Sequence, residues 1–109
     1  MNTQTVDWID RVANVLSLSS DDVIFESIES LLEYRLLQLN SQVIAFADKY
    51  EVASVTEMET RYQDGTLSEL DSWDDFQQFD HLEYDRDRVQ ELLTTLRATA
   101  RKHEVPVLA

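Results

Sequence analysis

The chain of 109 residues has one glycine, Gly65, and one proline, Pro106. Chains built from strands reverse direction every few residues, and those reversals lean on glycine and proline. So few of either argues against a β-sandwich or barrel and leaves long, continuous elements. Leu, Glu, Gln, Ala and Arg are plentiful, and all are good helix formers. The expected fold class is all-α, in one domain spanning 1–109 with a flexible tail from Lys102.

Apolar periodicity places four helices. The first runs from about Gln4 to Ser17, where Val6, Ile9, Ala13 and Leu16 make one stripe at spacings of three and four. Ser19 and Ser20 interrupt it. The second helix opens at Ser20, its expected N-cap, with Asp21 and Asp22 in a first turn that favours negative charge. It continues to about Tyr50 through Phe25, Ile28, Leu32, Leu36, Leu39, Val43 and Phe46, and Ile24, Leu31, Leu37 and Ile44 widen that stripe. Ser54 and Glu57 form an S-x-x-E capping box at the start of a short third helix. This helix ends at Asp64–Gly65, where Gly65 supplies a left-handed residue. Thr66 to Asp71 reads as a connector, and Ser72 as the cap of a fourth helix. There, Phe79, Leu82, Arg86, Val89, Leu93, Leu96 and Ala100 form an unbroken 3-4 run.

Helices 2 and 4 are each about 30 residues, or roughly 45 Å. Matched lengths across a short connector predict an antiparallel hairpin with helices 1 and 3 patched onto its open side. One seam leaves apolar positions of helix 2 unused, which implies a second surface: a homodimer, a partner, or helix 1 folding back. The hairpin is expected to dimerise into a bundle.

The formal net charge is −13, and it is unevenly spread. Residues 51–85 carry 11 acids against Arg61 alone, a net of −10. Residues 86–109 carry 3 acids and 5 bases. An acidic middle repels a phosphate backbone, so direct nucleic-acid binding is not expected. Ser19 to Leu37 is similar to the first helix of ribbon-helix-helix repressors, but the basic strand that reads the groove is missing before it. A basic protein partner is the expectation, attracted over long range. Without cysteine, a basic-plus-apolar leader or a long apolar run, a cytoplasmic protein with no membrane segment is expected.

No residue set converges on chemistry. His81 has Asp85 one turn later, but no second histidine to complete a metal site. Glu26, Glu29 and Glu33 form a solvated carboxylate row. Asp71, Asp74 and Asp75 lack the spacing and turn glycine of a calcium loop. Neither a phosphate-cradling glycine loop nor a nucleophile elbow is present. No metal, cofactor or catalysis is expected. The aromatics Tyr50, Tyr62, Trp73, Phe76, Phe79 and Tyr84 are dense for so short a stretch. They are either core anchors where helix 3 crosses the hairpin or a binding patch with an acidic rim.

Residues 46–79, FADKYEVASVTEMETRYQDGTLSELDSWDDFQQF, add a resemblance. They resemble a signature, KYG-x-S/T-x-x-E-F … G-x-L … W, of small helical bacterial and archaeal proteins encoded beside ribonuclease-type toxins. The matching positions are Lys49, Tyr50, Ser54, Glu57, Gly65, Leu67 and Trp73. Glu51 stands where that signature has glycine, and Met58 where it has phenylalanine. The resemblance implies an antitoxin that neutralises a toxin. The acidic, aromatic-bearing surface from helix 3 into helix 4 is then the expected contact, covering a basic cleft by occlusion through Tyr62, Asp71, Trp73, Asp74, Asp75 and Asp80. The alternatives are a nucleic-acid-mimicking inhibitor of a nuclease or defence protein, and a homo-oligomeric assembly factor.

Overall fold

The computed structural model describes residues 2–103, and among these it contains four helices and no strand. They are α1 (Thr3–Leu16), α2 (Ser20–Tyr50), α3 (Val55–Gln63) and α4 (Glu69–His103). The all-α fold class follows. From residue 104 the expected tail lies outside the described residues; Lys102 and His103 continue α4.

Helix starts follow side-chain capping. Asn2 Oδ1 accepts from the Thr5 amide at 2.9 Å, and Ser19 Oγ accepts from the Asp22 amide at 3.0 Å. Ser19, not Ser20, is therefore the N-cap of α2. Ser20 lies just inside the helix, and its hydroxyl donates to Asp10 of α1. At α3, Ser54 Oγ accepts from the Glu57 amide at 3.2 Å. Glu57 returns its carboxylate to the Ala53 amide at 2.9 Å, one residue earlier than in the standard box.

Helix ends share one device. After α1, α2 and α3 the chain turns through a left-handed residue: Ser17 (φ 58), Glu51 (φ 52) and Gly65 (φ 79). The next amide then bonds back to the helix: Leu18 to Ala13, Val52 to Ala47 and Thr66 to Arg61. These are Schellman closures, and only one of the three uses the residue type suited to that conformation.

α2 and α4 form the expected antiparallel hairpin. Phe46 stacks on Phe79 with ring centroids 5.8 Å apart. Asp75 reaches Lys49 and Tyr50, while Arg97 at the far end reaches Glu29 and Glu33. This register sets Leu93, 1% exposed, level with Leu32. α1 packs against α2 and α3 against α4. The main core lies at the turn end, where α3 closes the hairpin: Val43, Val52, Val55, Met58 and Phe79, flanked by Phe46, Tyr50, Tyr62, Phe76 and Leu82. Toward the open end the buried residues thin to Ala13, Val23 and Leu93.

One capping assignment is corrected. α4 begins at Glu69, so Ser72 is inside the helix and caps nothing. It is buried, its hydroxyl donating to the Ser68 carbonyl at 2.7 Å and pairing with the Tyr62 hydroxyl at 2.6 Å. A buried hydroxyl needs such partners, and Tyr62 supplies one from α3. The connector contracts accordingly from Thr66–Asp71 to residues 64–68.

Candidate functional site

The six residues singled out from sequence fall into two groups. Tyr62 and Asp75 are used within the fold. The Tyr62 ring tilts against Phe76 at 5.4 Å and its hydroxyl meets Ser72. Asp75 Oδ2 accepts from Lys49 Nζ at 2.6 Å and from the Tyr50 hydroxyl at 2.5 Å, which ties the first turns of α4 to the last turn of α2. The Lys49 ammonium, then the Tyr50 hydroxyl, hold the Asp75 carboxyl below the usual carboxylate range. The hydrogen bond to Asp75 raises Lys49. Burial, followed by the bond to Asp75, raises the Tyr50 phenol. The three groups stabilise one another in their ordinary neutral-pH states.

Asp71, Trp73, Asp74 and Asp80 are exposed on the first three turns of α4. Trp73, 45% exposed, lies nearly flat on Phe76, with centroids 5.3 Å apart and planes 19° apart. It forms a ridge between two shallow hollows. One is lined by Lys49, Glu69, Leu70, Asp71, Asp74 and Asp75. The other is lined by Phe76, Gln77, Asp80, His81 and Tyr84. Tyr84 also faces solvent, its hydroxyl accepting from Arg88.

The cations near this surface are engaged. Lys49 is paired with Asp75. Arg61, the single base of residues 51–85, donates to the Tyr50 carbonyl at 3.0 Å and closes the end of α2. Its charge therefore serves a helix C-terminus, where a cation is favourable. Glu69, Asp71, Asp74 and Asp80 are left as an exposed acidic rim around Trp73.

The chain belongs to the Uncharacterized protein MJ0235 family. The family model covers residues 1–101, which takes in all four helices up to the last turn of α4. Comparison with curated proteins and with solved structures gives no match. Within this member of the MJ0235 family, His81 and Asp85 make a lone pair at 3.2 Å on one face of α4. Among the described residues no group of three or more His, Cys, Asp or Glu is placed to hold a metal ion. No described helix is long and apolar enough to cross a membrane.

Two features of this region were not read from the sequence. Leu70, 91% exposed, joins Trp73 at the surface, because α4 starts early and carries Leu70 around its first turn. Glu83 of α4 accepts from the Val55 amide at 3.0 Å and so satisfies the start of α3, the helix packed against it. Its position in the 3-4 pattern of α4 marks only an edge of the apolar stripe, and nothing local announces the partner.

Proposed function

We propose that this protein is a non-catalytic, antitoxin-like inhibitor that binds a basic ribonuclease-type toxin and covers its RNA-binding cleft. The observation that carries the reading is Trp73. It is a large aromatic, half exposed, rigidly backed by Phe76 and Tyr62, and surrounded by unpaired carboxylates. Rigid aromatics are the usual anchors of protein interfaces. Carboxylates around an anchor set the approach rate and select a cationic partner. Asp71, Asp74 and Asp80 form that rim, while Tyr62 and Asp75 support it from beneath. The resemblance at Lys49–Trp73 points the same way. The inhibitor works in the cytoplasm as a homo-oligomer, without cofactor or metal.

The test begins with capture of partners from the native host and mass spectrometry, with a basic ribonuclease as the expected partner. Association with that partner is then followed by stopped flow across a salt series. The double substitution Asp71→Lys, Asp74→Lys slows association and flattens its salt dependence. Trp73→Ala instead raises the dissociation rate while circular dichroism stays helical. Association of the charge-reversed protein at the wild-type rate in low salt would rule the reading out. So would a partner seated wholly against residues 1–40.

A further inference from the structure

The two ends of the α2–α4 hairpin are held by different forces. From Val43 of α2 and Leu82 of α4 toward the turn, packing holds the helices together. Val43 and Phe79 are buried there with Val52, Val55 and Met58, and α3 closes over them. Hydrogen bonds reinforce this half: Lys49 and Tyr50 to Asp75, the Val55 amide to Glu83, and Tyr62 to Ser72. In the other half, among the described residues, Leu93 is the one seam position of α4 that is buried. The last seam position, Ala100, borders a hollow with Ile24, Phe25 and Ile28, so the apolar stripes part before the helices end. Ala13 and Val23 are also buried. Val23, two residues from Phe25, lies on the side of α2 away from α4, so its burial belongs to the packing of α1 on α2.

Arg86 stands where the halves meet, the one charged residue in the 3-4 run from Phe79 to Ala100. By the register that stacks Phe79 on Phe46, it falls level with Leu39. Its guanidinium turns out of the seam and donates to Asp87, the next residue of α4, at 3.1 and 3.0 Å. The stem still covers apolar surface, but the charged head interrupts the stripe. Beyond this break, charge supplies what packing does not. Residues 20–34 of α2 carry five acids and no base, and residues 92–103 of α4 carry Arg97, Arg101 and Lys102 and no acid. The antiparallel register sets these stretches side by side, and Arg97 bridges Glu29 and Glu33. All three of these side chains are partly exposed, so salt screens them. In residues 51–85 the balance is the reverse: a net −10 whose members repel one another.

We propose that the hairpin is two units that meet at Arg86: a turn half closed by apolar packing, and an open half, latched by charge, that unzips by itself. Segments held by few buried apolar contacts open before the rest of a fold. The open seam has Leu93 with only half-buried Leu32, Val89 and Leu96 around it. Opening uncovers that seam and leaves α3 and its core in place. Ionic strength acts on the two halves in opposite senses. The Debye length falls from about 30 Å at 0.01 M salt to about 8 Å at 0.15 M. Screening weakens the attraction between α2 and α4 in the open half and relieves the repulsion among the acids of the turn half. The inference is independent of the toxin reading, since it uses no residue of the Trp73 surface and needs no partner.

The test is native-state hydrogen exchange of the full-length chain, read by peptide mass spectrometry at fixed pH in 0.01 M and 0.15 M sodium chloride. Peptides within 24–38 and 88–100 are expected to exchange together, ahead of those within 43–50, 55–63 and 73–82. Added salt should speed the first group by about twofold to fivefold and leave the second unchanged or slower. Arg97→Gln should give the open half its fast exchange already at low salt and flatten its salt response, with the turn half unaffected. Arg86→Leu, which makes the stripe continuous, should draw the open half toward the protection of the turn half. Equal protection in both halves, or salt that speeds both alike, overturns the proposal. So does a smooth rise in protection inward from the helix ends that either variant leaves unchanged, which is ordinary fraying.

Discussion

Glu51 occupies a conformation its side chain resists. It closes α2 with φ 52 and ψ 47, its amide bonded to the Asp48 carbonyl at 3.3 Å, and the Val52 amide bonded to Ala47 at 3.0 Å. In this left-handed region a Cβ crowds the following carbonyl, at a cost of about 1–2 kcal/mol. Glycine escapes that cost but has more conformational freedom to lose on folding, about 0.5–1 kcal/mol. A carboxylate at the negative end of a helix adds a few tenths of a kcal/mol of strain in the same direction, reduced by exposure. Glu51→Gly is therefore expected to stabilise the protein by about 0.5–1 kcal/mol. For a domain of this size that raises Tm by roughly 2–8 °C. Glu51→Ala separates the contributions, since it removes the charge and keeps the Cβ; it should recover no more than a few tenths of a kcal/mol. Thermal and urea unfolding at fixed protein concentration, followed by circular dichroism, read both variants. If Glu51→Gly leaves Tm unchanged or lowers it, the conformational argument is wrong. If Glu51→Ala stabilises as much as Glu51→Gly, charge and not backbone is responsible.

Leu93→Ala should cost roughly 2–5 kcal/mol in urea unfolding, because a side chain 1% exposed at mid-hairpin leaves a cavity that helices cannot collapse locally. Tyr50→Phe removes a hydrogen bond to a charged carboxylate and should cost about 1–2 kcal/mol at neutral pH. The Asp75 clamp also gives a pH signature. A lowered carboxyl contributes stability above its ordinary value near pH ~4 and loses it as pH falls through the lower folded value. The raised Tyr50 and Lys49 contribute below pH ~10 and lose their contribution as pH rises beyond it. Comparison of unfolding across pH for wild type and Asp75→Asn should show the variant losing stability at neutral pH and converging with wild type in strong acid.

The sequence determined the helices, because helix formation depends on neighbours three and four residues apart. The 3-4 run from Phe79 to Ala100, the Ser54–Glu57 box and the Gly65 turn are all local, and each holds in the structure. The two long stripes also pointed to the pairing of α2 and α4, since each has one apolar face to hide and the two helices are of similar length. The resemblance was carried largely by fold-making residues: Tyr50 in the clamp, Ser54 and Glu57 in the cap, Gly65 in the turn and Leu67 against the core. Trp73 is the motif position that reaches solvent. Tertiary structure decided what the polar residues do. Ser72 looked like a cap because serine before acids usually is one, but Tyr62 arriving from α3 gave its hydroxyl a buried partner instead. Asp75 looked like part of an acidic surface until the register with α2 brought Lys49 and Tyr50 to it from 26 and 25 residues away. Arg61 and Glu83 likewise serve backbone groups of other helices. Such partners lie far along the chain and meet only once the hairpin register is fixed. A local pattern can show that a side chain is polar, but whether it faces water or another helix is settled by packing.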